Sequence, residues 1–278
     1  KEWQINSNTG DLDTIDLVRL LNKNTRFVAF THCSNIVGSI NPAQEWIEKI
    51  HDAGALAFVD GVSYVGHGFP DIHDLGADIY FFSLYKVYGP HQGILYVRES
   101  VSEKLMPQSH YFLAYDPRKR FNPTGPQHAE VAASGGVLDY FCALMDHHGI
   151  EVGDSLSSAL RALHKLLSAH EVGLAMPILE YLDHSSEAQL LGKSRCDEGD
   201  RAPTISFRPV NRTARAVTSA MNKLGVGAEN GDFYAERVLQ GMGIDPQDGV
   251  VRVSLVHYNT EDEALKIVKA LDQSLLGR

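Results

Sequence analysis

The stretch Phe58-Val-Asp-Gly-Val-Ser-Tyr-Val-Gly-His67, followed by Leu75-Gly-Ala-Asp-Ile-Tyr-Phe-Phe-Ser-Leu-Tyr-Lys-Val-Tyr-Gly-Pro90, decides the fold. An apolar run ends in Asp60, a second ends in Ser83, and Lys86 follows in a Tyr-Lys-Val-Tyr-Gly-Pro turn. Short apolar runs bounded by Gly, Pro and His clusters read as buried strands. The runs 26–31, 56–60, 77–82 and 93–97 are therefore expected strands, and 42–53 an intervening helix with Pro42 in its first turn, where the missing N–H costs nothing. Strands alternating with helices predict an α/β sheet, in which ligands bind beyond the carboxyl ends of the strands. Asp60, Ser83 and Lys86 are thus expected to face one pocket.

Downstream, the spacing becomes helical over 127–148 and again over 154–170, and 192–203 reads as a polar surface loop. A strand at 204–207, a helix at 213–224, a strand at 250–255 and a terminal helix at 260–275 predict a smaller α+β domain. The boundary is placed between 148 and 149. With 44% hydrophobic and 22% charged residues, 278 residues are enough to bury a large core. The net charge of -10, spread along the chain, excludes a basic stripe for nucleic acid or a polybasic tail for lipid, and no apolar run approaches a membrane span. Cys33, Cys142 and Cys196 form neither a disulfide framework nor a metal motif, so no metal is expected and a reducing cytoplasm is the simplest location.

Taken singly, these polar residues have ordinary explanations: a strand-ending Asp is often a cap, and a loop lysine is usually solvated. Their order changes the reading. THCSNIVGSINP (31–42), FVDGVSYVGH (58–67), LGADIYFFSLYKVYGP (75–90) and VVRVSLVHYNTEDEALKIVKAL (250–271) together resemble the consecutive signature blocks of the class V aminotransferase and cysteine desulfurase family.

The resemblance implies a fold type I enzyme dependent on pyridoxal 5'-phosphate (PLP), with a mainly parallel sheet in its large domain. Residues 1–148 would form the C-terminal part of that domain, because the family's upstream phosphate-binding turn has no counterpart in this sequence, and 149–278 the small domain. Lys86 would form the Schiff base, Asp60 would hold the pyridine nitrogen protonated, and Ser83 and Asn35 would contact cofactor or substrate. Arg252 would grip the substrate carboxylate, which suits a guanidinium fork; without the resemblance it reads as an edge-strand surface charge.

Ser63 stands where desulfurases often have Gln, and Tyr85 where His is common. Each keeps a hydroxyl for cofactor oxygens, beside the plainer readings of a turn residue and a packed aromatic. The family's Gly-Thr turn, which reaches the neighbouring subunit's cofactor, is replaced by Thr124-Gly125 with His128 beyond it. That implies a homodimer with a shared site, to which Thr124 would bring a cofactor contact and His128 a substrate contact; the alternative is a tight turn before a helix. The stretch 230–249, matching the loop of the persulfide-forming cysteine, contains no cysteine, which argues against ordinary desulfuration. The expected activity is PLP-dependent chemistry on an amino acid, with transamination, lyase and racemisation chemistry all open. A non-catalytic relative used for binding or scaffolding is the alternative, and a PLP-free Schiff-base aldolase a more distant one.

Overall fold

The computed structural model describes residues 1–122, 124–153, 155–197 and 199–277. In chain order its elements are α1 (Thr14–Leu20), β1 (Phe27–Thr31), α2 (Ala43–Asp52), β2 (Leu56–Asp60), α3 (Ile72–Leu75), β3 (Ile79–Ser83), β4 (Gly93–Val97), α4 (Glu99–Ser102), α5 (His128–Ala133), α6 (Gly135–His147), α7 (Leu156–His184), β5 (Ala188–Leu190), β6 (Thr204–Pro209), α8 (Ala214–Lys223), β7 (Glu229–Gly231), α9 (Glu236–Gly241), β8 (Val250–Ser254) and α10 (Glu261–Leu276). They form two compact units. One comprises Lys23–Phe30 and Ala43–Leu163; the other comprises Lys1–Asn22, Thr31–Pro42 and His164–Arg278. Residues 1–22 and 31–42 thus group with C-terminal residues distant in sequence, which a linear boundary at 148/149 does not express.

The first unit is built on a sheet of order β1-β2-β3-β4, with β2 parallel to β3 and β4 antiparallel to β3. Asp60 pairs with Phe81, so by strand alternation Phe58, Asp60, Phe81 and Ser83 share one face. Val59 and Tyr80 lie on the other face and are buried. The amphipathic helix α2 packs on β2 and buries Trp46, Ile47 and Ile50. This is the α/β architecture expected from the alternation of elements, with the antiparallel edge strand making the sheet mixed.

The second unit is an α+β layer whose antiparallel sheet has the order β5-β6-β8-β7. Its main core joins Leu174, Ile178 and Leu182 of α7 to Phe207, Val251 and Leu271. That core explains why α7 continues to His184, where helical spacing predicted an end near His170. Pro177 lies inside the helix, but the burial of Leu174, Ala175, Ile178 and Leu179 outweighs the local cost of a helical proline. The predicted first residue of that helix, Asp154, lies outside the described residues. The segment 192–203 is not a simple surface loop either, for Cys196, Arg201 and Ala202 are buried and Arg201 bridges to Ser39. A capping box at Thr260 and Glu263 starts α10 where the sequence placed it.

Candidate active site

In the first unit, β2 and β3 run parallel and both end in polar residues. Asp60 closes β2 and Ser83 closes β3, on the same face. The half-buried Asp60 carboxylate accepts the Val62 N–H at 2.9 Å. Burial pushes the Asp60 carboxyl above the ordinary carboxylate range, and the Val62 hydrogen bond opposes the shift. A desolvated carboxylate of this kind gains most from a cationic partner.

Two glycines permit this arrangement. A Cβ on Gly61 would fall 2.2 Å from the Tyr80 ring, and a Cβ on Gly66 would fall 2.9 Å from the Lys86 carbonyl oxygen. The turn after β2 therefore approaches both β3 and the lysine turn more closely than any side chain would allow. Ser63, half-buried, sits in this turn, which is closed by Tyr64 and Val65 N–H bonds to the Gly61 carbonyl.

Lys86 lies in a 3-10 turn, Leu84–Val87, that starts directly after Ser83 and ends with Tyr88 in the left-handed region at φ 66°. The turn buries Leu84 and Val87 and leaves Tyr85 and Lys86 exposed. The Tyr85 ring stacks on His91 with centroids 4.5 Å apart, and the Lys86 Nζ stands 5.8 Å from the Tyr85 ring centre. Thr124 and His128 are exposed on the same unit. Thr124 Oγ1 donates to the Gly125 carbonyl at 3.4 Å, and His128 opens α5; Pro123, between Asn122 and Thr124, lies outside the described residues.

In the second unit, Arg252 and Asn35 come together. Arg252 lies on β8, which is flanked by β6 and β7, and its side chain is half-buried. It is therefore not the edge-strand charge that its sequence setting alone suggests. Arg252 Nη1 donates to the Asn35 carbonyl at 3.1 Å, and Asn35 Nδ2 donates to the Phe233 carbonyl at 2.7 Å. The Arg252 guanidinium carbon stands 3.9 Å from the Phe233 ring centre. Burial lowers the Arg252 pKa, and the through-space pull of Glu229, its cross-strand neighbour, works against that. Among the described residues no carboxylate lies within ion-pair distance of Arg252.

The loop bearing Asn35 is pinned by Ser34, whose Oγ accepts the Ile36 and Val37 N–H groups, and by the Cys33–Ile40 bridge. Cys33 is buried, and burial pushes its thiol up to about 12. Cys196 is likewise buried, its thiol raised to about 11. Both are structural thiols in an environment that disfavours the thiolate.

The class V aminotransferase family model matches residues 2–267. The chain belongs to the class V aminotransferase family. It is 35% identical over 272 residues to the aminotransferase-like protein FGM3 of Gibberella zeae, covering 96% of this chain and 64% of that protein. It is 29% identical to the cysteine desulfurase-like protein ustD of Aspergillus flavus, covering 94% and 57%, and 29% identical to a cysteine desulfurase of Dickeya dadantii, covering 96% and 62%. The chain thus spans under two thirds of the length of these relatives. Among solved structures, the cysteine desulfurase of Thermococcus onnurineus superposes with a TM-score of 0.81 at 22% identity, over 100% of this chain and 66% of that one. The cysteine desulfurase CsdA of Escherichia coli gives 0.80 at 21%, over 99% and 65%. These likenesses show the fold.

Class V aminotransferases and cysteine desulfurases use PLP. The residues of the first unit fit that group: a desolvated carboxylate and a hydroxyl end adjacent parallel strands, and an exposed lysine amine follows within the next turn. No helix among the described residues is long and apolar enough to cross a membrane, and no described cluster of His, Cys, Asp or Glu could hold a metal ion.

Proposed function

We propose that this protein is a PLP-dependent enzyme that acts on an amino acid, with Lys86 binding the cofactor as a Schiff base. The observation that carries the reading is the shared face of Asp60 and Ser83 at the ends of parallel β2 and β3, with Lys86 in the turn that follows. When bound, PLP withdraws electrons from the substrate's α-carbon. Asp60 would keep the ring nitrogen protonated, its own desolvation making that partner favourable. Ser83, Ser63 and Tyr85 would supply hydroxyl hydrogen bonds to cofactor oxygens. The Lys86 amine, once released, would take and return the proton at the α-carbon. Arg252 would hold the substrate carboxylate, and Asn35 would orient ring or substrate.

The large PLP-binding part within 1–148 and the smaller part within 149–278 would divide these roles. Thr124 would reach the cofactor, and His128 the substrate, of a second copy in a homodimer. The cytoplasm suits free thiols at Cys33, Cys142 and Cys196. The absence of cysteine from 230–249 and the burial of Cys33 and Cys196 support chemistry other than persulfide formation.

The test is the visible absorption spectrum of the full protein with PLP, beside Lys86→Ala, during titration with a panel of amino acids. A cofactor band that requires Lys86 and shifts with particular amino acids is the expected result. A band of equal strength in Lys86→Ala overturns the assignment.

A further inference from the structure

We propose that Phe233 is the positioning residue of the carboxylate clamp, holding the Arg252 guanidinium on its ring so that the free N–H edge is presented to the α-carboxylate of the substrate. The inference rests on the reading that Arg252 takes that carboxylate.

Three contacts close a triangle. The Arg252 guanidinium sits 3.9 Å from the Phe233 ring centre, within the distance at which a cation is attracted by the ring's negative face. Arg252 Nη1 donates to the Asn35 carbonyl at 3.1 Å, and Asn35 Nδ2 donates to the Phe233 carbonyl at 2.7 Å. One residue is thus tied to Arg252 through its carbonyl, the other through its ring, and the two are tied to each other.

The ring itself is anchored. Phe233 packs against the apolar cluster that contains Ile36, Val37, Leu239, Ile244 and Val250. Its backbone lies in the left-handed region at φ 51°, followed by Tyr234 at 61°. A bulky aromatic occupies that conformation at a cost and persists only where its surroundings over-determine it. Here the Asn35 hydrogen bond and the apolar cluster supply the constraint, and the result is a ring turned onto the guanidinium.

The chemical consequence follows from the donor inventory. A guanidinium has five N–H groups in one plane. The Phe233 ring takes the π surface and Asn35 takes one Nη1 hydrogen, so the remaining in-plane donors are left for a bidentate anion. A flexible arginine would have to lose rotamer freedom on binding the carboxylate; one already stacked has lost much of it. Phe233 therefore contributes to affinity for the carboxylate specifically, not to the rest of the substrate.

The experiment titrates the PLP-loaded full protein with L-alanine and with L-alaninamide, following the visible band. Phe233→Leu is expected to raise the L-alanine Kd about fivefold while leaving L-alaninamide unchanged. Phe233→Tyr, which keeps the ring face, should retain the parent Kd. Arg252→Lys should abolish the preference for the acid over the amide. In parallel, acetate is titrated into the cofactor-free protein while the Arg252 side-chain N–H resonances are followed by NMR, and Phe233→Leu should weaken the acetate response by a similar factor.

If Arg252→Lys leaves the acid-over-amide preference intact, the clamp reading itself fails. If Arg252→Lys removes it but Phe233→Leu changes neither the L-alanine Kd nor the acetate response, the clamp stands and the role of Phe233 is refuted. An equal loss for acid and amide in Phe233→Leu also refutes it, since that is the signature of a general structural defect. Should Phe233→Leu fail to fold, Asn35→Ala frees the Phe233 carbonyl with the ring intact, and an undiminished acetate response in that variant overturns the proposal.

Discussion

Replacing Gly61 by alanine tests whether the Asp60 strand end depends on close packing. A Cβ at this position would lie 2.2 Å from the Cε1 and Oη atoms of Tyr80, where ordinary contacts begin near 3.4 Å. The backbone of Gly61 is not in the left-handed region, so the cost is steric. Tyr80 is only 1% exposed, and its ring would have to retreat by about 1 Å into a packed layer, or residues 60–61 would have to lift and carry the Asp60 carboxylate away. Overpacking of this kind costs about 1–3 kcal/mol, and at about 2–4 °C per kcal/mol the melting temperature should fall by about 2–12 °C. Circular dichroism melts of the cofactor-free protein measure the first effect, and the visible cofactor band measures the displacement of Asp60. Tyr80→Leu shortens the obstructing side chain, so Gly61→Ala should cost markedly less in that background. Gly93→Ala is the control, because a Cβ there meets nothing within 4 Å and its φ is not positive; its effect should stay within about 0.5 kcal/mol. A Gly61→Ala variant that melts with the parent protein, or that loses as much stability in the Tyr80→Leu background, refutes the packing argument.

Two further predictions follow from titration. Burial raises the Asp60 pKa in the fold, so the neutral form contributes stability below the unfolded pKa that is lost as pH rises through the folded one. Asp60→Asn, which keeps an acceptor for the Val62 N–H, should make the cofactor-free protein more resistant to urea at pH 7.5, with the difference shrinking towards pH 3, and should weaken PLP retention. Lower urea resistance of Asp60→Asn at pH 7.5 would contradict the desolvation argument. His32, buried, has its pKa lowered by desolvation from 6.5 to about 4. The unfolded chain takes up this proton first, so stability is full above pH 6.5 and is lost as pH falls, by about 3 kcal/mol once pH is below 4. Urea midpoints from pH 7 to 4 should therefore fall more steeply for the parent than for His32→Gln; parallel curves would show that another group carries the acid sensitivity.

Local signals made the first sheet legible. Strands of five residues with continuous apolar runs, separated by Gly and Pro, place β1, β2, β3 and β4 within two residues of where the sequence put them, and the polar residue ending each of two runs marks the strand ends that matter. The three-residue strands β5 and β7 carry no such pattern. They exist because β6 and β8 offer them edges to pair with. The turn at Lys86 is legible from its Gly and Pro, but its 3-10 form is not, because Leu84 and Val87 bury themselves against structure that local periodicity does not report.

The same distinction separates the parts of the candidate site. Asp60 and Ser83 each end a short apolar run and Lys86 follows Ser83 by three residues, so a strand-end argument and a family resemblance both reach them. Arg252 could be reached only by resemblance, since nothing in VVRVSL says that β8 lies between two other strands. Phe233 was reached by neither. Its contact with Arg252 joins residues 19 apart through a loop in which two successive aromatics hold positive φ, and no rule of local sequence predicts an aromatic in that conformation. What makes it possible is the Asn35 side chain, almost 200 residues away in the chain, so this part of the site is a product of tertiary structure. The unusual backbone at Phe233 and Tyr234 is therefore the most informative departure from sequence-level expectation in the molecule, because a conformation that local preferences disfavour persists here beside the one cation that the proposed chemistry requires for its carboxylate.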